Sequence, residues 1–191
     1  MLYIIIILIM MSLITTFNII FNPIYPFYVY IIACVAFTIS VIIVDAIVAT
    51  IIRHMDEKHF DYHKKIFNAS KKKLAFYKAI GVKKWKDKVP ELGMFTNFRK
   101  NKVENPKDPE YLKRYILEAC YGVIIHYVSV PFSFLIMLLD FKMYTGESNL
   151  YLTIALPVAL VNVVLIVLPA FILRYNLPKL IRLYEYSLKK Q

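Results

Sequence analysis

Glycine is scarce in this sequence, with four in 191 residues. That argues against a glycine-rich loop cradling phosphate through its backbone N–H groups. Cysteine is scarcer. Cys34 and Cys120 are the only two, and their spacing suits neither a metal site nor a disulfide framework. Tryptophan occurs once, at Trp85. Charge is missing from residues 2–21 and again from 27–44. No basic residue precedes the first of these runs, whereas a cleaved secretory signal needs a basic n-region. The first run is therefore expected to be a retained span.

Apolar residues are in excess. The chain is 59% hydrophobic and 19% charged, with mean hydropathy +0.56. A hydrocarbon core about 30 Å thick takes roughly 20 apolar helical residues to cross. Four stretches meet that need, at about 2–21, 27–52, 119–139 and 150–173. The expected fold class is an all-α membrane protein, a single membrane domain over 1–191. It has four transmembrane helices and a basic interfacial helical segment, 53–118, between the second and third.

The net charge is +11, and 18 of the 24 Lys and Arg lie between Arg53 and Glu118. Five more follow Leu173. Cytoplasmic segments carry the Lys/Arg excess, so 53–118 and both termini are expected in the cytoplasm. A basic segment joining two membrane hairpins faces anionic headgroups, and no nucleic-acid partner is expected. Roughly 56–80 reads as one helix in which Phe60, Phe67, Leu74, Phe76 and Ile80 mix with lysines. That suits an interfacial helix with snorkelling lysines. Residues 97–109 read as a polar loop, Pro109-Glu110 as a helix start, and 140–149 as a short outer loop.

Several residues stand out. His54, His59 and His63 include a one-turn spacing that a metal can use, but they also read as plain polar interface residues, and no metal is expected. His126 lies about 10 Å along the third span at 1.5 Å per residue. Gly122, Ser129 and Ser133 share its face. A buried histidine of this kind serves as a site residue or as an interhelical hydrogen bond; position alone leaves both open. Asp45, in the second span, is a candidate partner that would orient His126, or a structural group. Asn162 reads as packing. Glu118 marks the mouth of the third span. Arg174, Tyr175 and Asn176 mark the inner end of the fourth, where Arg174 suits a phosphate or carboxylate or acts as a positive-inside anchor. Lys83, Lys84, Lys86 and Lys88 surround Trp85, a pattern for holding anionic headgroups or for anchoring at the surface.

Three motifs in this order, "KKWKDKVPELG", "IIHYVSVP" and "LRYNLPKLIRL", resemble the glycosyl-4,4'-diaponeurosporenoate acyltransferases. These are small bacterial membrane enzymes of staphyloxanthin-type carotenoid biosynthesis. The matching positions are Lys84, Trp85 and Lys86; Ile125, His126 and Pro131; and Arg174, Tyr175, Asn176, Pro178 and Leu180. The resemblance covers about 56–190, so Asp45 lies outside it. It implies transfer of a fatty acyl group to the sugar of a glycosylated C30 carotenoid, or of another membrane glycolipid, in a bacterial cell membrane. The donor would be acyl-CoA or acyl carrier protein, as co-substrate and not as a bound cofactor.

Such a transfer needs a base for the hydroxyl and donors for the developing oxyanion. His126 is the expected base, with Glu118 and Asp45 as further catalytic candidates. Lys84, Trp85, Lys86, Arg174, Tyr175 and Asn176 are the expected substrate-binding residues. The chain has no His-x4-Asp motif and no Gly-x-Ser-x-Gly elbow, so direct transfer without a covalent enzyme intermediate is expected. The rival reading is a non-catalytic membrane protein that binds lipid or scaffolds a partner.

Overall fold

The structure, a computed structural model, describes residues 2–89, 103–138 and 150–190. The expected outer loop at 140–149, Pro90 and Gly93 of the Trp-centred motif, and the start of the expected 97–109 loop lie outside the described residues. Among the described residues there are six α-helices: α1 (Leu2–Phe21), α2 (Phe27–Arg53), α3 (Lys71–Ala79), α4 (Val82–Trp85), α5 (Pro109–Phe132) and α6 (Leu156–Leu188). Short 3-10 turns occur at Glu57–Phe60, Lys86–Lys88 and Ser133–Leu138, and a π turn at Tyr151–Ala155. The described residues contain no strand. Four segments among the described residues are long and apolar enough to cross a membrane: Ile4–Phe21, Phe27–Arg53, Pro109–Leu138 and Tyr151–Leu188.

The chain divides into two compact units. One joins Met1–Thr50 to Val128–Ile166, and the other joins Ile51–Tyr127 to Val167–Gln191.

In the first unit, α2 supplies Tyr30, Ala33, Cys34, Phe37 and Val41 to the core at helical spacing. Ala155 and Ala159 face this core; small residues let helix backbones approach closely. The turn between α1 and α2 is organised by one side chain. The Tyr30 hydroxyl accepts from the backbone N–H groups of Ile24 and Tyr25 at 3.0 and 3.1 Å and donates to the Asn22 carbonyl. Asn18, fully buried, donates to the Ile14 carbonyl at 2.8 Å and to the Thr153 carbonyl at 2.9 Å. The second bond satisfies a carbonyl within the π turn, where the regular helical ladder is interrupted. Nothing in the sequence pattern singled Asn18 out.

The second unit departs from the expected single helix over 56–80. Regular helix there is confined to α3, preceded by a 3-10 turn and an irregular stretch. Side chains compete with the helix for backbone donors. Asp56 Oδ1 accepts from Lys58 N at 3.0 Å, and Asp61 Oδ1 from His63 N at 2.9 Å. Ser70 then caps α3 by accepting from Lys73 N. The apolar residues of this stretch also differ in where they point. Phe60, Phe67 and Tyr77 are buried within the protein, whereas Phe76 remains exposed. Phe60 packs on Tyr121 with ring centroids 4.4 Å apart, and Tyr77 on Phe171 at 5.4 Å.

Proline behaves as expected at one site and not at another. Pro109 opens α5, and Asp108 Oδ1 caps it by accepting from Glu110 N and Tyr111 N at 3.0 and 3.2 Å. The helix of the fourth span, a span expected to end near Leu173, continues through Pro178 to Leu188. Leu177 and Leu180, on either side of the proline, are both buried, and this packing compensates for the hydrogen bond that proline removes.

Candidate functional site

Glu118, Arg53, Arg114 and Glu57 form one charged network in the second unit. Glu118 Oε2 lies 2.7 Å from Arg53 Nη1, and its Oε1 lies 2.8 Å from Arg114 Nη2. Arg114 also reaches Glu57 at 3.3 Å. The Glu118 side chain is 11% exposed, and two guanidiniums hold both of its oxygens. Both carboxylate oxygens are therefore occupied as acceptors. Arg53 also stands over the Tyr121 ring, 5.9 Å from its centroid.

Farther along α5 come His126 and Tyr127, both half-buried. Tyr127 meets Arg174 of α6: Arg174 Nη1 donates to the Tyr127 hydroxyl at 2.7 Å, and the guanidinium carbon stands 5.7 Å from the Tyr127 ring centre. Tyr77 lies beside them, close enough for both the Arg174 charge and the Tyr127 hydroxyl to act on its own hydroxyl. Burial raises the Tyr77 hydroxyl above its ordinary value, and the positive charge of Arg174 acts in the opposite direction. Arg174 is 3% exposed, and its Nε and Nη2 are buried with no hydrogen-bond partner. No carboxylate among the described residues forms an ion pair with it. A guanidinium does not lose its charge, and taking it out of water costs several kcal/mol. One hydrogen bond to a charged group returns about 1.5–3 kcal/mol, and a ring-face contact about 0.5–2. The Tyr127 contacts offset that cost through Nη1 and the ring face and leave Nε and Nη2 without a partner.

Gly122, one turn before His126, lies against α6. A Cβ there would stand 2.7 Å from Leu173 Cδ1, so glycine permits the close approach of α5 to the turn that carries Arg174. Tyr175, the next residue, is buried in a cluster with Ala69, Tyr77, Val82 and Ile172. Lys179 Nζ stands 3.8 Å from its ring centre. Trp85 is half-buried against this same cluster, and its Nε1 donates to the Ile80 carbonyl at 2.9 Å. Lys84 is exposed and Lys86 half-buried. Gly81, with φ of 69°, makes the left-handed step that lets α4 begin directly after α3. Asn176 is half-buried on α6.

Asp45 belongs to the first unit, whereas His126, Glu118 and Arg174 belong to the second. Asp45 Oδ2 accepts from Asn162 Nδ2 at 3.0 Å, and the same nitrogen donates to Ser133 Oγ at 2.9 Å. Ser133 in turn donates to the Ser129 carbonyl at 2.8 Å. The Ser129 hydroxyl also faces the carboxylate without completing a hydrogen bond. Two of the small residues read as sharing a face with His126 thus take part in an interhelical polar cluster. The histidines before α3 are exposed. Among the described residues, no three His, Cys, Asp or Glu side chains group to hold a metal.

A family model for glycosyl-4,4'-diaponeurosporenoate acyltransferases matches residues 58–186. The chain belongs to this family. The family's name describes a carotenoid-related acyltransferase. The match contains the three motifs at Lys84–Lys86, Ile125–Pro131 and Arg174–Leu180, along with Glu118 and Tyr77; Asp45 precedes it. No curated protein and no solved structure matches the chain. Tyr127 and Tyr77 escaped the reading of individual residues. Tyr127 stands beside His126 within a quoted motif, and that adjacency was the available signal.

Proposed function

We propose that this protein esterifies a fatty acyl group onto a sugar hydroxyl of a membrane glycolipid, with a glycosylated C30 carotenoid as the acceptor. The observation that carries this reading is the family match over residues 58–186. It takes in the buried Arg174–Tyr127 pair and the neighbouring His126. In the proposed reaction, His126 accepts the proton of the sugar hydroxyl. The hydroxyl oxygen attacks the acyl carbonyl of a thioester donor. The tetrahedral oxyanion collapses and expels the thiolate, which takes the proton back from His126. Products are the ester and the free thiol.

Lys84 and Lys86 offer charge to the donor or to headgroups, and Trp85 holds their segment against α6. Arg174, Tyr175 and Asn176 are the proposed substrate-binding residues, and the donor is acyl-CoA or acyl carrier protein. The four apolar helices support placement in the bacterial cell membrane. The Lys/Arg distribution supports cytoplasmic termini and a cytoplasmic 53–118 segment. A deletion strain tests the reading. It should accumulate the non-acylated glycoside, and the wild-type gene should restore the ester. Unchanged pigments and glycolipids would refute it and leave a lipid-binding or scaffolding protein.

A further inference from the structure

Arg174 presents a specific chemical shape. Its Nη1 is taken by the Tyr127 hydroxyl. The two donors left, Nε and Nη2, lie along one edge of the guanidinium. That edge is the one that binds two oxygens of a phosphate or carboxylate in parallel. Tyr127 holds the guanidinium from the opposite side, and Tyr77 lies beside Tyr127. Burial favours the neutral form of Tyr77, so this tyrosine brings no negative charge to the site. Among the described residues no acid opposes an incoming anion there.

Plain anchoring does not account for this arrangement. A positive-inside arginine extends its head into water or headgroups, whereas Arg174 is 3% exposed. Ordinary packing does not account for it either, because a methionine or leucine fills the same volume without two unpartnered donors.

We infer that the Nε–Nη2 edge of Arg174, oriented by Tyr127, is a bidentate binding site for a phosphate group. In a membrane chain that group has two sources, the phosphate ester of a soluble ligand or the phosphate of an anionic lipid. The inference stands whether or not the chain transfers acyl groups, since it concerns binding alone.

The test uses the full-length protein in nanodiscs of zwitterionic lipid, read by thermal unfolding. Three probes are added separately: inorganic phosphate, coenzyme A, and phosphatidic acid built into the disc. At least one should raise the unfolding midpoint of the wild type in a saturable way. Coenzyme A acting alone would identify a soluble phosphate ester as the source, and phosphatidic acid acting alone a lipid. Arg174→Met should abolish the shift while folding with unchanged or higher basal stability. Arg174→Lys keeps the charge without the fork and should weaken binding by at least about tenfold; it serves as the test if Arg174→Met does not fold. Tyr127→Phe should weaken binding less. With 24 Lys and Arg in the chain, a shift that persists in Arg174→Lys at wild-type affinity would mean general charge attraction and would overturn the inference. Absence of any shift in the wild type would overturn it as well.

Discussion

Arg53 and Glu118 meet at 2.7 Å although 65 residues separate them in sequence. The contact fastens the last residue of α2 to the middle of α5, and Arg114 completes the clamp from the other side of the carboxylate. A carboxylate held by two arginines is better suited to fixing helices than to taking a proton.

Glu118→Gln is therefore expected to cost stability and to spare chemistry. Both arginines are about half exposed, so solvent screens them and the loss should be about 1–2 kcal/mol. Thermal unfolding and acyl transfer per folded molecule, measured together, decide the matter. A hundredfold fall in turnover at unchanged stability would make Glu118 a catalytic group instead.

His126→Gln keeps a polar side chain but removes the base. General-base help contributes about 10²–10⁴ in rate. The variant should accumulate in membranes at near wild-type abundance and acylate at least about a hundredfold more slowly. Near-normal acylation by a well-expressed variant would leave His126 with a packing role.

Asn162 connects Asp45 to Ser133 within the first unit. Interhelical hydrogen bonds of this kind contribute about 0.6–2 kcal/mol. Asn162→Leu should lower the unfolding midpoint accordingly. Asp45→Asn should be milder and should keep its acylation rate per molecule. A large rate loss in Asp45→Asn would return Asp45 to the catalytic candidates.

Tyr77 gives a pH dependence with a definite sign. Burial lifts its hydroxyl above the ordinary 10.0, so the folded state holds the proton more tightly than the unfolded chain. The resulting stability is complete below pH 10 and is lost as pH rises through the folded value. Unfolding midpoints followed upward from pH 9 should fall, and Tyr77→Phe should remove part of that fall. Superimposable curves for the two proteins would count against the assignment.

The orientation can be read by labelling intact cells. In a Cys34→Ala, Cys120→Ala background, single cysteines at Ile24 and Lys72 face opposite sides of the membrane if 53–118 is cytoplasmic. An impermeant maleimide should label position 24 and not 72. The reverse pattern would invert the topology.

The spans were legible because hydrophobicity is additive along a chain. Charge-free residues 2–21 became α1 with the same limits, and the α2 boundary differed by one residue. The motifs around Trp85, His126 and Arg174 were legible because each is local. The end of α6 was not, because proline's local cost competes with the burial of Leu177 and Leu180. The helix expected over 56–80 failed for a related reason. Lysines and aromatics satisfy the composition of an interfacial helix, yet the Asp56 and Asp61 turns and the Phe60–Tyr121 contact favour a broken path.

The sequence by itself determined an all-helical chain with four membrane-length helices and a concentrated basic segment, since these follow from composition and period alone. It also singled out Arg174 by position. Only the tertiary structure decided what surrounds that arginine. Tyr77 is 97 residues away in sequence by subtraction (174 − 77) and Tyr127 is 47, and no periodicity relates such separations. Whether a buried charge is paired, clamped like Glu118 or left with two bare donors depends on which side chains the folded helices bring within about 3 Å.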